Sequence, residues 1–103
     1  MIAVITHHWV KEDKFQQAKN LLDRNGSAQS KTDGFIYRAT MLSKEDDKQI
    51  SSVVIWANDK IYDRWKTSPE RELIMGNAAK LWSKAPESER FNIVNMTDFI
   101  NVD

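Results

Sequence analysis

Two adjacent histidines, His7 and His8, are the side chains best suited to proton transfer near neutral pH, because an unperturbed imidazole titrates at about 6.5. They lie in MIAVITHHWV, a β-branched and apolar run of strand character. Alternation along a strand puts Ala3, Ile5, His7 and Trp9 on one face, and Ile2, Val4, Thr6, His8 and Val10 on the other. The pair therefore cannot ligate one metal ion from a single face. His7, beside Ile5 and Trp9, is the stronger candidate base, and His8 is read as pointing the other way, toward a subunit surface. For each, the plainer alternative is a histidine held in packing by one hydrogen bond.

The other side chains with chemical potential are aromatic or cationic. Trp56, Tyr62, Trp65 and Met75 could wall an aromatic-binding pocket, although large side chains at the ends of strands and helices also serve simply as core. Arg38 stands in an otherwise apolar strand. It suits an anion or a partner carboxylate, and equally suits an edge strand guarded by charge against aggregation. Gly26, Gly34 and Gly76 are too widely spaced for a phosphate-binding loop, and no serine sits in a nucleophile elbow. With no cysteine, disulfides, Cys-ligated metals and thiolate nucleophiles are excluded. Lys plus Arg and Asp plus Glu stand at 15 each, so no net field favours nucleic acid or an anionic membrane.

These residues need a scaffold, and 103 residues suffice for one domain, 1–103, with one core. After the first strand, Phe15, Ala18, Leu21 and Leu22 mark an amphipathic helix. Its stop falls either at Asn25–Gly26 or after a further turn, before Asp33–Gly34. Residues 35–42 alternate as a strand, with Phe35, Tyr37, Ala39 and Met41 against Ile36, Arg38, Thr40 and Leu42. The polar SKEDD then forms a hairpin loop into a strand over about 48–56. Asn58 caps a short helix bearing Ile61, Tyr62 and Trp65. Thr67, Ser68, Pro69 and Glu70 start a longer one, which carries Ile74, Ala78, Leu81 and Ala85 and ends at Pro86. A last strand over 91–96 leads to an apolar tail with Phe99, Ile100 and Val102.

The order is βαββαβ, an α+β ferredoxin-like antiparallel sheet with helices on one face. The bare face calls for a second copy of the chain, forming a dimeric α/β barrel through the sheet. No run approaches the ~20 apolar residues of a membrane span. The N-terminus lacks a basic leader and cleavage site, so a cytoplasmic protein is expected.

The opening MIAVITHHW, the DGF entering the second strand and above all VVIWANDKIYDRWKTSPE resemble the antibiotic biosynthesis monooxygenase family. That family of dimeric α/β-barrel proteins includes cofactor-free quinol-type oxygenases and haem-degrading monooxygenases. The haem branch implies an Asn, a Trp and a His where this chain has His7, Trp65 and Met75, so only the Trp is kept. A haem iron would need His7, His8 or Met75. The cofactor-free branch implies oxidation of an electron-rich phenol or hydroquinone by dioxygen, with no cofactor and no metal. On that resemblance His7 is the proton acceptor, Trp65 joins it as catalytic, and Trp9, Trp56, Tyr62 and Met75 hold the small aromatic substrate. The alternative function is a non-catalytic dimeric module for a small ligand or protein. A cavity of roughly 300 Å³ beside His7 and Trp65 favours the oxygenase, and a cavity closed by tryptophans favours the module.

Overall fold

Strand β1, Ile2–Val10, lies inside the sheet and pairs antiparallel on both edges in this computed structural model, which describes residues 1–97. The other strands are β2 (Phe35–Leu42), β3 (Gln49–Trp56) and β4 (Trp82–Asn92), in spatial order β2-β3-β1-β4. Helices α1 (Phe15–Ser30), α2 (Asp59–Lys66) and α3 (Pro69–Met75), with a 3₁₀ turn at Ala78–Leu81, complete the chain. This is the ferredoxin-like arrangement. No helix among the described residues is long and apolar enough to cross a membrane. The tail residues Phe99, Ile100 and Val102 lie outside the described residues.

The helix side of the sheet carries the even positions of β1 and β3, where Ile2, Val4, Val10, Ile50, Val54 and Trp56 are all buried. Two apolar clusters form there. Val10, Ala18, Leu22, Ile50, Ala78, Leu81 and Trp82 make one, and Ile2, Val4, Val54, Trp56 and Trp65 make the other. Val4, Leu22, Val54, Trp56 and Trp65 also line a polar chamber, which thus lies between the clusters.

Three local features depart from the expected elements. Helix α1 takes the longer of its two courses and runs through Gly26 to Ser30. The helix begun at Pro69 ends at Met75, not at Pro86, and β4 begins at Trp82, well before the expected residue 91. Pro86 is admitted because β4 is an edge strand and its register with β1 shifts between the partners of His7 and Trp9, Glu87 and Lys84. A proline lacks the N–H that an unbroken ladder would require, and a bulge on an edge does not require it. Finally, β2 shifts register between Phe35 and Tyr37, so Phe35 opposes Trp56 while Arg38 opposes Val54. One extra residue reverses the alternation, and both Phe35 and Arg38 face the helices.

Candidate functional site

The chamber is built on three supports: the even face of β1 and β3, the inner side of α1, and the short pair α2 and α3. Each is fixed locally. The Asn58 side chain accepts from the Ile61 N–H at 2.9 Å and the Ser68 hydroxyl from the Arg71 N–H at 3.2 Å, so both short helices start at defined points. Arg90 of β4 donates to Asp59 at 2.8 Å and to Asp63 at 3.0 Å, and its guanidinium lies 4.7 Å from the Tyr62 ring centroid. The bridge ties α2 to the sheet and holds Tyr62 in place.

Tyr62, Trp65 and Trp56 form the aromatic wall. The Trp56 and Trp65 rings stack with centroids 6.2 Å apart, and Tyr62 lies 5.9 Å from Trp56. Phe35 meets Trp56 edge-on at 5.8 Å, behind the stack. Trp56 is wholly buried, yet its Nε1 has no hydrogen-bond partner among the described residues.

His8 projects from β1 into the same space. It is buried, its ring lies 4.5 Å from that of Trp82, and its Nδ1 has no partner among the described residues. Burial, and then the positive charges of Arg38, Arg71 and His7, push its pKa down to about 4. The imidazole is therefore neutral at pH 7 and lines the chamber uncharged.

Arg38 enters from β2 and crosses α1. One guanidinium nitrogen donates to Gln29 Oε1 at 2.8 Å, another to the Leu22 carbonyl at 3.5 Å. Gly26 makes the crossing possible, since a Cβ there would lie 2.6 Å from Arg38 Nε and 2.7 Å from its Cδ. Burial lowers the Arg38 pKa, and Asp23 offsets part of that shift. Asn25 and Gln29, both buried, complete the α1 side, and Asn25 Oδ1 also lacks a partner among the described residues.

The inner chamber has a volume of about 70 Å³. Thr6, His8, Tyr62, Arg71 and Met75 also border a second hollow of about 280 Å³, whose far wall is Gly76, Ala78, Ala79, Trp82, Pro86 and Ser88. The two volumes form an inner chamber and its mouth. Among the described residues no group of three or more His, Cys, Asp or Glu is placed to hold a metal ion.

Trp65, Trp56, Tyr62 and Met75 all line the inner chamber, but His7 and Trp9 are elsewhere. His7 lies on the open face, sharing a 2.6 Å hydrogen bond with Ser51 Oγ and bordering a groove with Ile5, Glu87 and Phe91. Trp9, on the same face, lies under the Lys84 ammonium at 3.8 Å. The assignment of His7 and His8 to faces is thus reversed relative to the expectation. Both faces of β1 are apolar, so alternation separates the two histidines without saying which side the helices cover. His7, Trp65 and Met75, the positions matched to the haem branch, do not converge for the same reason. Arg71 and Gln29 are not singled out by the sequence because polar residues on amphipathic helices ordinarily signal the wet face, and Asn25 reads there as part of a helix stop.

A ferredoxin-like α+β domain with an aromatic-walled pocket between sheet and helices is the class defined by this geometry. The sequence profile of the family described as antibiotic biosynthesis monooxygenase matches residues 1–75. The chain belongs to that family. The matched span runs from β1 to the end of α3 and contains every residue lining the inner chamber. No curated protein matches in sequence. Among solved structures, the fold is similar to Rv0793 from Mycobacterium tuberculosis, at a TM-score of 0.86 and 14% identity over 94% of this chain and 98% of that one. It is also similar to SnoaB, a cofactor-independent oxygenase from Streptomyces nogalater, at 0.81 and 12% over 92% and 94%. A conserved protein from Methanosarcina mazei Go1 superimposes at 0.82 with 20% identity over 87% and 89%.

Proposed function

We propose that this protein is a cofactor-independent monooxygenase that oxidises an electron-rich phenol or hydroquinone with dioxygen in the helix–sheet pocket. The observation that carries the reading is His8, buried and neutral with an unpaired Nδ1, facing the same chamber as Trp56, Tyr62 and Trp65. The ring enters through the mouth beside Met75 and packs against the aromatic wall. His8 accepts the phenolic proton, and the phenolate gives up an electron to dioxygen more readily than the phenol. A pKa held near 4 in the empty pocket rises when an anion forms beside the imidazole, because opposite charges stabilise each other. For a phenol the balance is one dioxygen consumed, one oxygen atom placed on the ring to give a quinone, and the other released as water. The test is oxygen uptake by metal-stripped protein over a panel of phenols and hydroquinones, with labelled dioxygen. One labelled atom in the quinone supports the reading. No uptake above the buffer rate across the panel contradicts it.

The same proposal includes a homodimer. Cross-strand partners Tyr37, Ile55, Ala3 and Phe91 form an apolar row across the open face, with Tyr37 and Phe91 50% and 41% exposed. A second copy laid on this face covers the row and closes a barrel. The cysteine-free chain accords with a cytoplasmic setting. The 70 Å³ of the inner chamber favours a second reading, a non-catalytic ligand-binding module, which predicts tight binding of aromatic ligands without oxygen uptake.

A further inference from the structure

Two guanidinium groups face the pocket with no carboxylate paired to either among the described residues, Asp23 acting on Arg38 only from a distance. Arg38 and Arg71 both line the inner chamber, and Arg71 also borders the mouth. Among the described residues no Asp or Glu lines either volume. Neither arginine forms an ion pair among the described residues, whereas Arg90, on the outer side of α2, is paired with both Asp59 and Asp63. Arg38 donates to two uncharged acceptors, Gln29 Oε1 and the Leu22 carbonyl, and among the described residues the Arg71 side chain makes no hydrogen bond.

A half-buried cation without a paired carboxylate is costly, and the fold goes to some length to keep this one. The β2 bulge turns Arg38 to the helix side, and a glycine stands in the interior of α1 where the side chain crosses. A glycine there weakens the helix relative to alanine. Trp56, which lines the same chamber, carries a buried indole N–H that is unpaired among the described residues. Planar guanidinium forks and an indole N–H suit an anionic oxygen group.

We propose that Arg38 and Arg71 form an anion site for a carboxylate on the aromatic substrate, so that the substrate class is an aromatic hydroxy acid. The inference rests on the oxygenase reading for its word substrate, but the binding site stands on the two arginines alone. A carboxylate is favoured over the phenolate itself because it is charged throughout the neutral pH range and so balances the arginines before any proton moves. It occupies the guanidinium side of the chamber, and the ring lies toward Tyr62 and Met75.

The experiment is calorimetric titration of the purified full-length protein with 1-hydroxy-2-naphthoate and with 1-naphthol, which differ by the carboxylate alone. The carboxylate should bind roughly ten- to hundredfold more tightly, the range for hydrogen bonds to a charged group. Arg71→Gln should bring the acid close to the naphthol affinity and leave the naphthol unchanged. That variant removes no side-chain hydrogen bond among the described residues, so its thermal melt should match the wild type. Arg38→Gln should act in the same direction. Equal affinities in the wild type, a preference that survives both substitutions, or no binding of either probe at millimolar concentration would overturn the site. Binding is read without turnover, so loss of the preference leaves the oxygenase reading standing. Tight acid binding with no oxygen uptake on hydroxylated acids contradicts the oxygenase and leaves the anion site.

Discussion

At the scale of single residues the pocket depends on a histidine kept neutral by its surroundings. His8 has a pKa of about 4 in the folded protein, below the ~6.5 of an unfolded chain. As pH falls, the unfolded state takes up the proton first. The stabilising contribution is therefore intact above pH 6.5 and is lost between there and about 4. At pH 5 the loss amounts to about 2 kcal/mol, and His8→Gln should abolish that part of the acid sensitivity. Urea unfolding of both proteins at pH 7 and pH 5 measures it, and parallel losses would contradict a buried neutral His8. A carboxylate held between Arg38 and Arg71 should move the His8 titration upward in an NMR pH series, because it cancels charges that oppose protonation. Chemistry at this scale was partly legible in the sequence. Arg38 stood out as a charge in an apolar strand, and Trp56, Tyr62, Trp65 and Met75 were identified as a group. The choice between His7 and His8 was not legible, since their neighbours on both faces are apolar.

At the scale of elements, residue parity and helix glycines decide what reaches the pocket. The bulge at the start of β2 shows why counting by twos misplaced Phe35. A strand pattern carries no mark of an extra residue unless a glycine or proline signals it. Pro86 was such a mark but was read as a helix stop, because proline ends helices far more often than it interrupts strands. Gly26 carried its own ambiguity, looking like a C-terminal cap while serving as the gap through which Arg38 passes. A double-mutant cycle tests that role. Gly26→Ala in the wild type should be destabilising despite the ~1 kcal/mol gain in helix propensity, because the new Cβ meets the Arg38 side chain. In an Arg38→Ala background the same change should stabilise by about that gain. Additive effects would mean that Gly26 has no part in seating Arg38. Asn58→Ala should cost about 1 kcal/mol through loss of the cap on α2, read as a lower melting temperature.

At the scale of the whole molecule, the strand and helix order was readable because each element carried its own period and its own stop. The bare sheet face followed from that order, since helices lie on one side only. What covers the face is a prediction of this scale. Tyr37→Glu and Phe91→Glu, each setting a charge in the apolar row, should shift the protein from dimer to monomer in sedimentation velocity. A wild type that sediments as a monomer at all concentrations would remove the barrel. The two sheet faces also make the central claim directly testable, because they carry one histidine each. The deciding measurement is the oxygen-uptake rate of wild type, His8→Ala and His7→Ala on the best substrate of the panel. Chemistry between sheet and helices predicts that His8→Ala loses at least ~100-fold in rate, the scale of general acid–base catalysis, while His7→Ala keeps the wild-type rate. A His8→Ala protein as active as the wild type, or a loss confined to His7→Ala, would contradict the account and move the chemistry to the open face.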